Sequence, residues 1–342
     1  MQWEAVRLAE RVPERLCEFQ EPWPDGRVAC HVCPHECRIA DGGTGICLCR
    51  KNFGGTLRPV NYAEATSAAM DPVEKKPLYH FLPGREILSL GTWGCNFKCD
   101  FCQNWQISQQ PVATQHLSSE AAVALAEQRG SIGIAYTYNE PTIWFEYVLD
   151  TVRLVRQAGL KNVLVTNGYI NPAPLAMLLE AGVDAMNIDL KSFREAFYQR
   201  HAKGHLGPVL ETIRTAARRC HVETTTLLIP GENDSDAELT ELRDWLAENV
   251  GPEGPVHLSA YFPQYKSEAP ATPLESLVRG RDILRQKLRF VYLGNVMATG
   301  AGNTVCPGCG ATAVRRSGHR VDASGLKGSA CGACGRELGF VV

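Results

Sequence analysis

Cys95, Cys99 and Cys102 stand at C-x3-C-x2-C spacing in Gly91-Thr-Trp-Gly-Cys95-Asn-Phe-Lys-Cys99-Asp-Phe-Cys102, directly after the apolar run Ile87 to Gly91. Thiolates are soft ligands that suit iron–sulfur clusters and zinc. Three of them can bind three irons of a [4Fe-4S] cluster, which normally takes four cysteines, so one iron stays open to a ligand that is not protein. The competing readings are a zinc site completed by a distant His, or thiols that only pack. The strand-loop context favours the cluster, because ligand sites in α/β folds gather at the C-terminal ends of strands.

Later strand ends carry matching polar residues. Ala135-Tyr-Thr-Tyr138-Asn139-Glu140-Pro141 closes the second expected strand. The carboxylate of Glu140 and the amide of Asn139 can accept hydrogen bonds from an ammonium group, which charge makes strong. Pro141 equally marks a helix start, with Glu140 as its capping acid. Thr166-Asn167-Gly168 ends the third strand and Asp189-Leu-Lys191 the fourth; an ordinary turn and an ordinary strand-end pair are the plain alternatives. Pro230-Gly-Glu-Asn233-Asp234 after the fifth strand reads as a turn that can face a substrate.

Of the fourteen cysteines, twelve lie in three tight groups and only Cys17 and Cys220 stand apart. Clustered cysteines in a chain of this length indicate metal rather than a disulfide scaffold. Cys30, Cys33, Cys37 and Cys47, at C-x2-C-x3-C-x9-C spacing, suit tetrahedral zinc or a second Fe-S cluster, with Cys49 as a fifth thiol and His35 nearer a surface residue than a ligand. Cys306-x2-Cys309 and Cys331-x2-Cys334 form two knuckles, each followed by Gly, the pattern of a zinc ribbon. Between them Arg315, Arg316, His319, Arg320 and Lys327 make a basic stretch that reads as a solvated face or a contact for RNA or an acidic partner.

These residues need a scaffold, and 342 residues exceed one compact core. Residues 1–84 are rich in Cys, Gly and Pro and have little periodicity, as expected of an N-terminal Cys-rich metal-binding domain. Residues 85–298 alternate short apolar runs with amphipathic stretches, the signature of βα units and a parallel sheet. Strands are expected at Ile87 to Gly91, Ile132 to Tyr138, Asn162 to Thr166, Ala185 to Leu190, Val222 to Ile229 and Val256 to Phe262, with Phe290 to Leu293 as an extra. Helices are expected at Ser118 to Arg129, Pro141 to Ala158 and Pro172 to Ala181. The fold class is thus α/β, a partial (β/α)6 TIM-like barrel or open sheet short of eight units, with residues 299–342 as a C-terminal zinc ribbon. The balance of 35 Lys+Arg against 37 Asp+Glu argues against a global nucleic-acid or membrane binder. The N-terminus lacks a secretory apolar stretch and no window reaches a membrane span, so a soluble, cytoplasmic protein is expected.

The central motif, with Phe101 before its last cysteine, resembles the defining motif of the radical S-adenosylmethionine (SAM) superfamily. The resemblance implies SAM on the open iron, reductive cleavage to a 5′-deoxyadenosyl radical and an external electron donor. It places Asn139 and Glu140 at the SAM amino group, Asn167 and Asp189 at hydroxyls, and Lys191 at the SAM carboxylate, as in pyruvate formate-lyase activating enzymes. Where relatives often carry a His beside Phe and Pro, this sequence has Phe262. The order Cys33-Pro-His-x-Cys37, Gly45-x-Cys47, Asn52, Tyr138-Asn-Glu-Pro-Thr142, Asp189-Leu-Lys191, Pro230-Gly-x-Asn-Asp234, Gly302-Asn-Thr304 and the final ribbon resembles the radical SAM protein of the AmmeMemoRadiSam system. That group implies Memo-like and AMMECR1-like partner proteins. Three functions follow as alternatives: hydrogen abstraction from a small molecule, peptide or RNA; activation of a glycyl-radical enzyme; or a non-catalytic metal-binding adaptor.

Overall fold

A computed structural model describes residues 13–296, 300–318 and 320–342; His319 and most of the stretch bearing on a secretory leader lie outside them. The seven expected strands are all present and lie in one parallel sheet in sequence order. They are β2 (Glu86–Gly91), β3 (Gly133–Tyr136), β4 (Lys161–Thr166), β5 (Ala185–Asp189), β6 (His221–Leu228), β7 (Val256–Ala260) and β8 (Val291–Gly294). Six helices make the successive crossovers: α1 (Ser119–Gln128), α2 (Phe145–Gln157), α3 (Pro172–Ala181), α4 (Leu206–Ala216), α5 (Asp236–Asn249) and α6 (Leu274–Leu284). The strands are buried almost throughout, as a parallel sheet covered by helices requires. Ser118 and Ser235 cap α1 and α5 by accepting from Ala121 N and Glu238 N. The first turn expected at Pro141 is a 3-10 turn, Pro141–Trp144, which runs into α2. The sheet does not close: β8 ends one edge, so the architecture is the partial barrel.

The other edge comes from residues that the sequence assigns to the N-terminal segment. β1 (Ser67–Pro72) pairs antiparallel with β2, Ser67 opposite Gly91 and Pro72 opposite Glu86. Ahead of it, Gln20–Pro22, Val28–Cys30 and Arg38–Ile39 form a small antiparallel sheet, and Arg50–Asn52 pairs with Leu57–Pro59. This layer shares one apolar core with the barrel. Three contacts fasten it. Asn171 N donates to Val32 O, Trp144 Nε1 donates to Asn61 O, and the buried guanidinium of Arg50 grips Glu146 of α2 at 2.9 and 3.1 Å.

The C-terminal ribbon, built on Thr304–Val305, Thr312–Ser317 and Arg320–Asp322 with a hairpin Leu326–Lys327/Ala330–Cys331, caps the opposite end of the barrel. His80 stacks on Phe340, with ring centroids 4.1 Å apart, and bonds Leu338 O and Tyr292 Oη; Tyr292 is the second residue of β8. Arg316 is not part of an exposed basic face: it is buried, donates to Tyr79 O at 2.6 Å and stands 4.2 Å over the Tyr79 ring. Among the described residues no helix is long and apolar enough to cross a membrane.

Candidate active site

At the C-terminal ends of the strands lies a cavity of about 440 Å³, within the range of small-molecule sites. Cys95, Cys99 and Cys102, on the loop after β2, share its wall with Asn139, Glu140, Asn167, Asp189 and Lys191. The structure therefore brings together every residue that the sequence places at the central site. Among the described residues, none of the C-terminal ribbon lines it.

The cysteine loop is held by Asn139 and Asn167. Asn139 Nδ2 donates to Gly94 O at 2.8 Å, and its Oδ1 accepts from Thr92 N. Asn167 Nδ2 donates to Asn96 Oδ1 at 2.8 Å and reaches Cys95 Sγ at 3.8 Å, while Phe97 N points at the same sulfur at 3.4 Å. Such N–H groups stabilise thiolate, and burial opposes them: it pushes Cys95 up strongly and Cys99 up to about 12, with the Lys191 ammonium pulling Cys99 down. Binding iron reverses that balance, since coordination deprotonates a thiol outright.

Glu140 is fully buried and does two things at once. Its Oε1 accepts from Thr142 N at 2.9 Å, the helix-capping role, and from Thr166 Oγ1 at 2.7 Å; its Oε2 accepts from Asn167 N at 2.7 Å. A carboxylate has about four lone-pair sites, so Oε2 retains capacity for one more donor. Burial raises Glu140, against the amide of Asn167. Lys191 Nζ pairs with Asp189 at 2.9 Å; despite burial, Asp189 and Cys99 raise the ammonium and keep it charged.

One group on the wall has no counterpart among the sequence-derived residues. Asp71 at the end of β1 accepts from Lys75 at 3.0 Å, from Lys76 at 2.9 Å and from Tyr138 Oη at 2.6 Å. All four residues line the cavity. Burial raises the Asp71 carboxyl, but Tyr138 and the lysines outweigh it and hold it far below the usual range. The signal is the run Asp71-Pro-Val-Glu-Lys75-Lys76, which follows a strand of small, half-buried residues that lacks the apolar run of the others.

The donor set fits a three-thiolate [4Fe-4S] cluster with an amino-acid-bearing ligand. Three cysteines face the cavity, and beside them stand an acceptor for an ammonium (Glu140) and a cation for a carboxylate (Lys191). Residues 90–242 match the family model described as the Radical SAM superfamily. The chain is 39% identical over 336 residues to an uncharacterised protein of Methanocaldococcus jannaschii, covering 96% of this chain and all of that one. It is 30% identical over 200 residues to the biotin synthase of Sorangium cellulosum, covering 56% of this chain and 55% of that enzyme. A radical SAM methyltransferase from Sphaerobacter thermophilus shares the fold at a TM-score of 0.51 and 19% identity, over 62% of this chain and 67% of that one.

Proposed function

Since the chain belongs to the radical SAM superfamily, we propose that the 440 Å³ cavity binds SAM and an anionic substrate side by side. The protein is an enzyme of iron–sulfur radical chemistry. The cluster and SAM, when bound, supply reductive cleavage of SAM to a 5′-deoxyadenosyl radical that takes a hydrogen atom from the substrate.

In this reading Cys95, Cys99 and Cys102 hold the cluster, and Asn139 and Asn167 fix their loop. Oε2 of Glu140 accepts from the SAM ammonium, while its other bonds lock the ends of β3 and β4 in register. Lys191 meets the SAM carboxylate, and Asp189 orients Lys191 and holds a ribose hydroxyl. The observation that carries the substrate class is the Asp71–Lys75–Lys76 group: two ammonium groups share one carboxylate on the cavity wall, leaving one positive charge for a carboxylate or phosphate.

The enzyme works in the cytoplasm with an external one-electron donor. The order of its motifs supports the AmmeMemoRadiSam assignment and, with it, Memo-like and AMMECR1-like partners. Zinc fills the C-terminal ribbon, where Cys306–Cys334 and Cys309–Cys331 sulfurs stand 3.6 and 3.7 Å apart. The decisive assay is anaerobic: reconstituted protein with reductant yields 5′-deoxyadenosine and methionine, and Cys99→Ala abolishes both. Lys76→Met, by contrast, is expected to raise the KM for an anionic substrate at least tenfold while leaving SAM binding intact. A neutral substrate turned over equally by both proteins overturns the substrate reading. A glycyl radical seen by EPR on a co-purifying enzyme selects the activase instead.

A further inference from the structure

Cys30, Cys33, Cys37 and Cys47 converge on a second, smaller cavity of about 20 Å³, walled by Val32, Ile39, Ile46 and Arg50 of the same layer and by Ile143 of the barrel. Two other candidate ligands are engaged elsewhere. The Cys49 thiol donates to Trp93 O at 3.1 Å, and His35 Nε2 bonds Asn96 O at 2.8 Å. The four thiols that line the cavity are therefore its candidate ligands.

Sulfur spacing distinguishes one ion from a cluster. Four thiolates on tetrahedral zinc at about 2.3 Å stand about 3.8 Å apart. The C-terminal quartet matches that spacing, all four sulfurs lying within 4.8 Å of one another. Among the described residues no three N-terminal sulfurs do so, and neither do the three central ones. In a four-iron cluster each thiolate binds its own iron, and the sulfurs stand about 6 Å apart. Like the central set, the N-terminal quartet is therefore not closed to the spacing of a single tetrahedral ion. Finally, Arg50 lines the cavity, and its Nε is buried without a partner although the other guanidinium nitrogens are taken by Glu146 and Glu18 O. Cysteine thiolates accept such a bond, and an iron–sulfur core adds inorganic sulfides as further acceptors.

We propose that Cys30, Cys33, Cys37 and Cys47 hold a second four-iron cluster rather than zinc, with Arg50 as a hydrogen-bond donor to it. This goes beyond the superfamily reading, which requires only the central cluster. The test uses full-length Cys95→Ala/Cys99→Ala/Cys102→Ala, which lacks the central ligands and leaves the quartet intact. After anaerobic reconstitution it should hold about four irons and four labile sulfides per chain, with one zinc, against about eight irons in the unaltered protein. Cys33→Ser in the unaltered background should lower iron from about eight to about four without changing zinc. Two zincs and no iron in the triple variant, or no metal beyond the ribbon zinc, overturns the proposal. Two zincs and about four irons in the unaltered protein overturns it without recourse to any variant. Failure of the central cluster alone appears separately, as absent SAM cleavage with iron still present in the quartet.

Discussion

The two four-cysteine regions have the same ligand count and different physics. The C-terminal quartet alternates buried Cys306 and Cys331 with exposed Cys309 and Cys334, its sulfurs already at the spacing of one tetrahedral ion, and it sits at the end of the barrel away from the cavity. The N-terminal quartet is largely buried, encloses a space and touches the active-site loop: Gly94, with φ +88°, leaves no room for a Cβ, which would lie 2.5 Å from Cys47 O and from Cys49 Sγ. Ligand type alone does not assign a metal. Sulfur spacing, enclosure and position relative to the chemistry do.

That contrast can be broken at several points. Arg50→Met should act hardest, because removing one partner of a buried ion pair leaves Glu146 an uncompensated charge and costs about 3–5 kcal/mol. Thermal unfolding should show that loss, and metal analysis should show iron falling while ribbon zinc stays; an equal fall of both metals would erase the distinction. Gly94→Ala should cost about 2 kcal/mol through the clash with Cys47 and Cys49 and lower SAM cleavage, read by denaturant titration and product assay. Wild-type stability would show that the two cysteine loops are not in contact.

A pH effect belongs to the ribbon end. Burial lowers His80 to about 3, while an unfolded histidine titrates near 6.5. Between these values the unfolded chain binds a proton that the folded chain does not. Stability from this group is thus full above pH 6.5 and is lost on acidification towards 3, by about 1.4 kcal/mol per pH unit. His80→Gln should flatten the pH dependence of unfolding between 6 and 4.5; an unchanged slope would show that His80 is not the group responsible. The smallest effect on catalysis is expected from Cys309→Ser, which should release zinc to a chromogenic chelator yet leave SAM cleavage within about twofold, since the ribbon does not line the cavity. A large loss of cleavage would place the ribbon in the catalytic machinery after all.

The sequence was most informative where periodicity and chemistry coincide. Most strands of the parallel sheet are short, buried runs rich in apolar residues, and Asn167, Asp189 and Lys191 are legible because they follow or end such runs; β6, with His221, Glu223 and Thr224 to Thr226, is the polar exception. β1 was missed because Ser67-Ala-Ala-Met-Asp-Pro carries half-buried small residues and takes its conformation from pairing with β2, a long-range contact. With it went Asp71, Lys75 and Lys76. The bonds of Glu140 are only partly visible in the sequence: Pro141 announces the cap, but the bonds to Thr166 and Asn167 join residues 26 and 27 positions away. Arg316 was misread because a charge between zinc knuckles looks solvated until Tyr79 is seen beneath it.

The Arg50–Glu146 pair also bears on how this chain can be divided. Cutting at residue 84 would strip a guanidinium from a carboxylate with no exposure to water and remove β1 from the sheet edge. The N-terminal segment and the barrel therefore form one inheritable unit, unable to be exchanged or lost separately. The ribbon is tied in by the same kind of contact, since buried Arg316 lies 3.6 Å from buried Glu74 and donates to Tyr79 O, so removing it would strand a second carboxylate of the N-terminal segment.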